Sequence, residues 1–458
     1  MELKSSQTHT KLVDYVFWIT LIVFTNPGAI LSAFGEDSSD GGINITDLLI
    51  VILFACYVLL PRKTNFVDDK RYSKAIKYLI IFLAYYLVVF GFFVPVLKDN
   101  PSYTPLATFI KIRHGIINIV LVFVVYEFFL RSSAIFIKYF LYSSILVIVL
   151  FLFSALMGVE LLPVRIMNRS FVETERLLME NYGLMPLLIP MGAVVFIFKF
   201  DIKYKKIILI SFVLMFITWL LSLIRRNIFG TFLYFILALM INNFIQHKSI
   251  FSLKKFIKIT IYSVVLIFFI QLTFPKYLEA GIIAGQETIN VIKYGKTTSG
   301  RKDARLGLGK DFMQELIKEN FIFGTGFDNR WRTSEGDKAG YEASDYPLLS
   351  AIAMSGIVGL LFFLPIYIVL LKTLIYDIKY LRQTKLNLQS FESYFFILFI
   401  VYYIFDFIQY MNWFLPLSLF SHSGHKSWYI FLAMYFASRK IFYSKEKPKK
   451  SNLIYSQA

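Results

Sequence analysis

SYFFILFIVYYIFDFIQYMNW, residues 393–413, is apolar and aromatic along its whole length and carries a single charged side chain, Asp406. About 20 such residues suffice for a helix to cross a bilayer. Lipid offers the backbone no hydrogen-bond partners, so a run of this kind is helical. Working outward, similar runs occupy 12–34, 44–60, 75–97, 105–130, 134–157, 182–199, 207–224, 228–245, 256–275, 347–371 and 427–443. The second run is short, and the fourth is interrupted by charge. The pattern predicts an all-α integral membrane protein of about 12 transmembrane helices. The first run is too long for a signal-peptide core and lacks a small-residue cleavage site, so it reads as the first span. Four regions follow: a bundle over 1–275, a large partly helical extracytoplasmic loop over 276–346, further spans over 347–443, and a basic cytoplasmic tail over 444–458. No internal repeat is visible.

Composition agrees. The chain has 458 residues, of which 57% are hydrophobic and 18% aromatic, beyond the range of an ordinary soluble protein. The net charge of +18 would suggest nucleic acid on a soluble chain. On a membrane protein it reflects basic residues gathered on the cytoplasmic side and anionic lipid, with no nucleic-acid partner. Arg62, Lys63, Lys70, Arg71 and Lys74 fill one connection. Lys199, Lys203, Lys205 and Lys206 fill a second, and Lys248, Lys254, Lys255 and Lys258 a third. Lys372, Lys379, Arg382 and Lys385, then Arg439, Lys440, Lys445, Lys447, Lys449 and Lys450, complete the set. All fall on one side if both termini are cytoplasmic. The acidic, glycine-rich segment Gly35–Ile43 falls on the other. The single cysteine, Cys56, lies in a span and forms no intramolecular disulfide.

Some charges sit where lipid disfavours them, at about 2.5–3.5 kcal/mol each on insertion scales. Thr108, Lys111, His114 and Asn118 recur at helical spacing, with Arg113 beside them. Thr218, Ser222 and Arg225 form a second stripe next to Arg226, and Tyr402, Asp406, Gln409 and Trp413 a third. The spacing places all three in the outer half of the bilayer, around a cavity of net positive character. Arg225 and Arg226 either snorkel to the outer headgroups or bind an anion. Asp406 either neutralises Lys111, Arg113 and His114 or meets substrate. A cationic pocket at that depth suits a lipid-linked diphosphate, because the arginine fork donates paired hydrogen bonds to phosphate.

The large loop opens on Ser299-Gly300-Arg301 and continues through an amphipathic stretch, Asp303 to Asn320. A glycine turn follows, Phe323-Gly324-Thr325-Gly326-Phe327. Ser344-Asp345-Tyr346-Pro347 then leads into a span containing Ser355-Gly356-Ile357-Val358-Gly359. Asp345 suits two roles, N-cap of that span and general base. Trp331 and Tyr341 are candidates for stacking on sugar rings, or for anchoring at the interface. His422 and His425 lack nearby carboxylates, and no metal site is expected.

In these pieces the chain resembles the O-antigen polymerase and ligase superfamily of polysaccharide-assembly enzymes. The likeness covers the whole chain in its span pattern. In its motifs it covers Leu221–Phe229 and Ser299–Phe363. The residues concerned are Ser222-Leu223-Ile224-Arg225, where Ile224 stands for a serine, then Ser299-Gly300-Arg301, the Gly324 and Gly326 pair, and Asp345 ahead of Gly356-Ile357-Val358-Gly359. Ligases of the family usually carry histidine at the position of Asp345. This chain has five histidines and none in the loop, so the polymerase (Wzy) branch is favoured.

The resemblance implies a membrane glycosyltransferase of GT-C-like architecture, working on the outer face of a bacterial cytoplasmic membrane. It would move a growing glycan from undecaprenyl diphosphate to an incoming lipid-linked repeat unit. Arg225 and Arg301 would stabilise the diphosphate leaving group, with Arg226, Lys111, Arg113 and His114 supporting them. Asp345 would be the base, with Glu342 and Asp406 as alternatives. The donor is already activated, so no cofactor is implied; a separate chain-length regulator is a possible partner. The alternatives are a ligase-type transferase and a lipid-linked oligosaccharide flippase.

Overall fold

A computed structural model describes residues 2–25, 45–60, 69–93, 105–157, 164–169, 172–179, 183–222, 225–246, 320–324, 347–384, 386–408 and 426–446, with isolated positions between 268 and 318. The described chain is almost entirely helical. In order come α1 (Glu2–Thr25), α2 (Ile45–Val58) and α3 (Lys70–Val88), which runs into a π-turn at Val89–Phe93. Next are α4 (Pro105–Met157), α5 (Leu188–Phe198), α6 (Lys205–Ser222) and α7 (Arg225–Ile245). After the loop come α8 (Pro347–Gln383), α9 (Phe391–Ile408) and α10 (Lys426–Glu446).

Among the described residues, five helices are long and apolar enough to cross a membrane: Gly115–Ser154, Lys205–Ser222, Asn227–Ile245, Ser355–Gln383 and Phe391–Ile408. Leu48–Val58 and Met185–Phe198 are shorter apolar helices. The membrane class read from the sequence holds at this level. The expected ninth span, 256–275, and nearly all of the loop lie outside the described residues.

One expectation is corrected. The connection after α4 contains a two-stranded antiparallel hairpin, β1 (Val164–Arg169) and β2 (Val172–Met179), with Val164 opposite Met179 and Arg165 opposite Leu178. The all-α reading overlooked a period-two alternation, Val164-Arg165-Ile166, too short and too polar to compete with the long runs around it.

The helix ends and breaks have local causes. Asp69 caps α3 by accepting the backbone N–H groups of Arg71 (3.1 Å) and Tyr72 (3.3 Å). Helix α4 breaks at Ser132 (φ −137°, ψ 32°), which separates the expected fourth and fifth spans. The Ser132 hydroxyl donates to the Phe128 carbonyl and accepts the Trp18 indole N–H at 2.8 Å, while Arg131 pairs with Asp14 at 3.2 Å. These contacts fix α1 across the break. Aromatic stacking fills the interior, with Phe17 on Phe128, Tyr72 on Tyr126 and Tyr234 on Phe405.

Two landmarks on α8 give the bundle its ends. At one, buried Asp377 accepts the Nε of Arg439 at both carboxylate oxygens (3.0 and 3.1 Å), and also the hydroxyls of Tyr435 (2.6 Å) and Tyr443 (2.9 Å). Arg439 reaches on to Asp69 at 3.2 Å, tying α3, α8 and α10 together. The same end holds Arg382 against the ring of Phe244 and the Asp201 N–H on the Leu388 carbonyl. The other landmark is Gly356, where α8 is interrupted. At 1.5 Å per residue the two lie about 31 Å apart along α8, close to the thickness of a hydrocarbon core.

Candidate functional site

The Gly356 end brings together two of the motifs singled out in the sequence. At Phe321–Gly324 the chain turns tightly: the Gly324 N–H donates to the Asn320 carbonyl at 2.8 Å, and the Asn320 side chain accepts the Phe323 N–H at 3.1 Å. Gly324 has φ 79°, which glycine adopts at little cost. The turn docks on the break in α8. Gly356 (φ 65°, ψ 176°) interrupts the helical ladder there, and the N–H groups of Ile357 and Val358 donate instead to the carbonyls of Phe321 (3.0 Å) and Ile322 (3.2 Å). Irregular backbone at membrane depth persists only where such partners are supplied. A Cβ at Gly356 would lie 2.1 Å from the Ile322 carbonyl oxygen, so both conformation and space demand glycine.

Two residues missed by sequence reasoning complete this clasp. The Tyr85 hydroxyl lies 2.8 Å from the Ser355 carbonyl and 3.3 Å from that of Phe323, so it touches both sides of the joint. The neighbouring Tyr86 hydroxyl bonds the Ser355 side chain at 2.8 Å. Gly359 keeps room for the Tyr85 ring. Consecutive tyrosines in an apolar run were the only available sign.

Deeper in the bundle lies Asp406 on α9. Its carboxylate accepts the Trp428 indole N–H at 2.7 Å, and the Tyr403 hydroxyl donates to the Trp428 carbonyl at 3.1 Å. Tyr234 on α7 stacks on Phe405 at 3.7 Å, and Tyr367 on α8 meets Phe407 edge-on at 5.9 Å. Tyr234, Tyr367, Tyr402 and Tyr403 all lie within electrostatic reach of the carboxylate. Tyr367 is about 15 Å along α8 from Asp377, so this group lies between the two landmarks of α8. The indole of Trp428 is thus the hydrogen-bond donor seen on this carboxylate.

The remaining candidates divide as follows. Arg225 and Arg226 open α7. The other end of α7 carries Phe244 beside Arg382, so the two arginines belong to the Gly356 end. Their side chains lie outside the described residues. Thr218 and Ser222 are buried and donate to their own helix, at the carbonyls of Leu214 and Trp219. In α4, Asn118 is buried and Arg113 is exposed; the side chains of Lys111 and His114 are outside the described set. Asp345, Arg301, Glu342, Trp331 and Tyr341 also lie outside it. Comparison with models of known protein families finds no match, and neither does comparison with curated proteins.

Proposed function

We propose that this chain is a polysaccharide polymerase of the O-antigen or capsule type, which transfers a growing glycan from undecaprenyl diphosphate to the next lipid-linked repeat unit. In this reading it has about 12 spans in a GT-C-like arrangement. The large loop lies between the ninth and tenth spans, both termini are cytoplasmic, and the loop faces outward. The acceptor hydroxyl oxygen attacks the anomeric carbon and its proton passes to a carboxylate, with Asp345 first and Glu342 or Asp406 as alternatives. The bond from the anomeric carbon to the diphosphate oxygen breaks, and arginine stabilises the charge that develops, with Arg225 and Arg301 first.

The observation that carries this reading is the clasp between Phe321–Gly324 and Gly356–Val358. It returns an internal turn of the loop to the bundle end at which Arg225 and Arg226 begin α7. The orientation draws support from the opposite end, where α3, α8 and α10 carry Lys70, Arg71, Lys372, Lys379 and Lys440 within a few residues of Asp69, Asp377 and Arg439. Basic residues concentrate on the cytoplasmic side.

Gel analysis of surface polysaccharide from a deletion strain tests the class. A single capped repeat unit is the expected product. Full-length polymer held on undecaprenyl diphosphate would mark a ligase instead, and loss of outward-facing repeat units would mark a flippase. Either outcome overturns the polymerase reading.

A further inference from the structure

We propose that the Asp377 end of the bundle carries a binding site for the phosphate headgroup of an anionic lipid, built on Arg71 and Tyr376 where α3 and α8 pack together. The guanidinium of Arg71 lies flat on the Tyr376 ring, 4.0 Å from its centroid. Stacking of this kind fixes the plane of the fork. Two described carboxylates nearby are already engaged. Asp69 accepts the backbone N–H groups of Arg71 and Tyr72 and pairs with Arg439; Asp377 accepts Arg439, Tyr435 and Tyr443. Among the described residues no carboxylate pairs with the Arg71 side chain, and its Nη1 is buried without a hydrogen-bond partner.

An oriented guanidinium, with no carboxylate partner among the described residues and with further cations beside it, suits phosphate, which takes paired N–H donors. Lys74 is exposed one turn along α3 from Arg71, and Lys372 and Lys379 are exposed one turn to either side of Tyr376 on α8. The occupant is a lipid because of what adjoins the cations. Ile375, Leu371 and Ile368 continue outward along α8, 46%, 45% and 42% exposed, giving an apolar rail for an acyl chain directly beside the headgroup site. The position, about 31 Å along α8 from Gly356, matches a bilayer boundary. Basic recesses between helices on the cytoplasmic side bind anionic headgroups by this chemistry. The inference is independent of the polymerase reading, since it concerns the opposite end of the bundle.

The test uses the full chain purified in neutral detergent, with retention of phosphatidylglycerol and phosphatidylcholine measured by native mass spectrometry. The wild-type chain should retain phosphatidylglycerol in preference to phosphatidylcholine, and millimolar inorganic phosphate should not displace it. Arg71→Gln should weaken retention about fivefold or more, the effect of one cation near an anionic headgroup. The paired change Lys372→Gln with Lys379→Gln should do the same while leaving the Arg71–Tyr376 stack intact. Equal retention of both lipids overturns the proposal, as does displacement by inorganic phosphate, which would mark a free-anion site. Unchanged retention in Arg71→Gln also overturns it. Should Arg71→Gln fail to fold, the paired lysine variant decides: unchanged phosphatidylglycerol retention there sinks the idea.

Discussion

The backbone N–H of Ile357 donates to the carbonyl of Phe321 at 3.0 Å, joining the interruption of α8 to a turn within the large loop. A broken transmembrane helix leaves backbone groups that lipid cannot satisfy. Here the loop satisfies them, so the break and the turn stabilise each other.

Gly356→Ala should undo that joint. The new methyl would meet the Ile322 oxygen at 2.1 Å, and φ 65° is unfavourable for any residue with a Cβ. We expect a loss of about 1–3 kcal/mol or more. A thermal melt in detergent, with protease sensitivity of the loop, measures it. An unchanged melting temperature would show that the joint contributes nothing.

Tyr85→Phe removes one hydroxyl from the same joint. The Ser355 and Phe323 carbonyls lose that donor, at a cost of about 0.5–1.5 kcal/mol. The variant should therefore melt below wild type but above Gly356→Ala. The reverse order contradicts the hydrogen-bond assignment.

Arg439→Gln should be the most damaging change at the other end. It strands Asp377, which is fully buried, and also releases Asp69. Breaking a buried pair by removing one partner costs about 3–5 kcal/mol. Tyr443→Phe, which removes one neutral donor to the same carboxylate, should cost about 1 kcal/mol. Comparable membrane yields for the two variants would argue against a central role for Arg439.

Trp428→Phe and Asp406→Asn separate two roles for the Asp406 carboxylate. If Asp406 serves only to accept the indole, Trp428→Phe lowers stability by about 1.5–3 kcal/mol, and polymer length falls only as folded protein is lost. If Asp406 meets substrate, Asp406→Asn shortens the polymer while the melting temperature holds. Polymer length normalised to folded protein distinguishes the outcomes.

Arg225→Ala and Arg301→Ala address the proposed phosphate clamp directly. Removing one preorganised donor to a developing anion typically lowers turnover by about 10²–10³-fold. Each variant should display single repeat units and lack long chains at normal protein level. Persistence of long chains would falsify the clamp. Asp345→Asn tests the base in the same way; retained chain length would remove that residue from the proposed chemistry.

The membrane class was legible in the order of residues, because burial in lipid is set by the length of an apolar run. Runs such as 393–413 and 207–224 announce themselves without reference to any neighbour. The hairpin at Val164–Met179 was not legible, because its short alternation is meaningful only once the strands pair. Gly324 and Gly356 stood out as residues, but their contact did not, since it spans the chain between two elements with no local trace of each other. Arg439 read as one more basic residue at a helix end. Its burial between Asp377 and Asp69 depends on three helices meeting, and no local pattern encodes that meeting. The amino-acid order by itself thus determined what is helical and apolar, through the energetics of single segments in lipid. The tertiary structure alone decided which polar groups satisfy one another, because a hydrogen bond across helices exists only when packing brings donor and acceptor within about 3 Å.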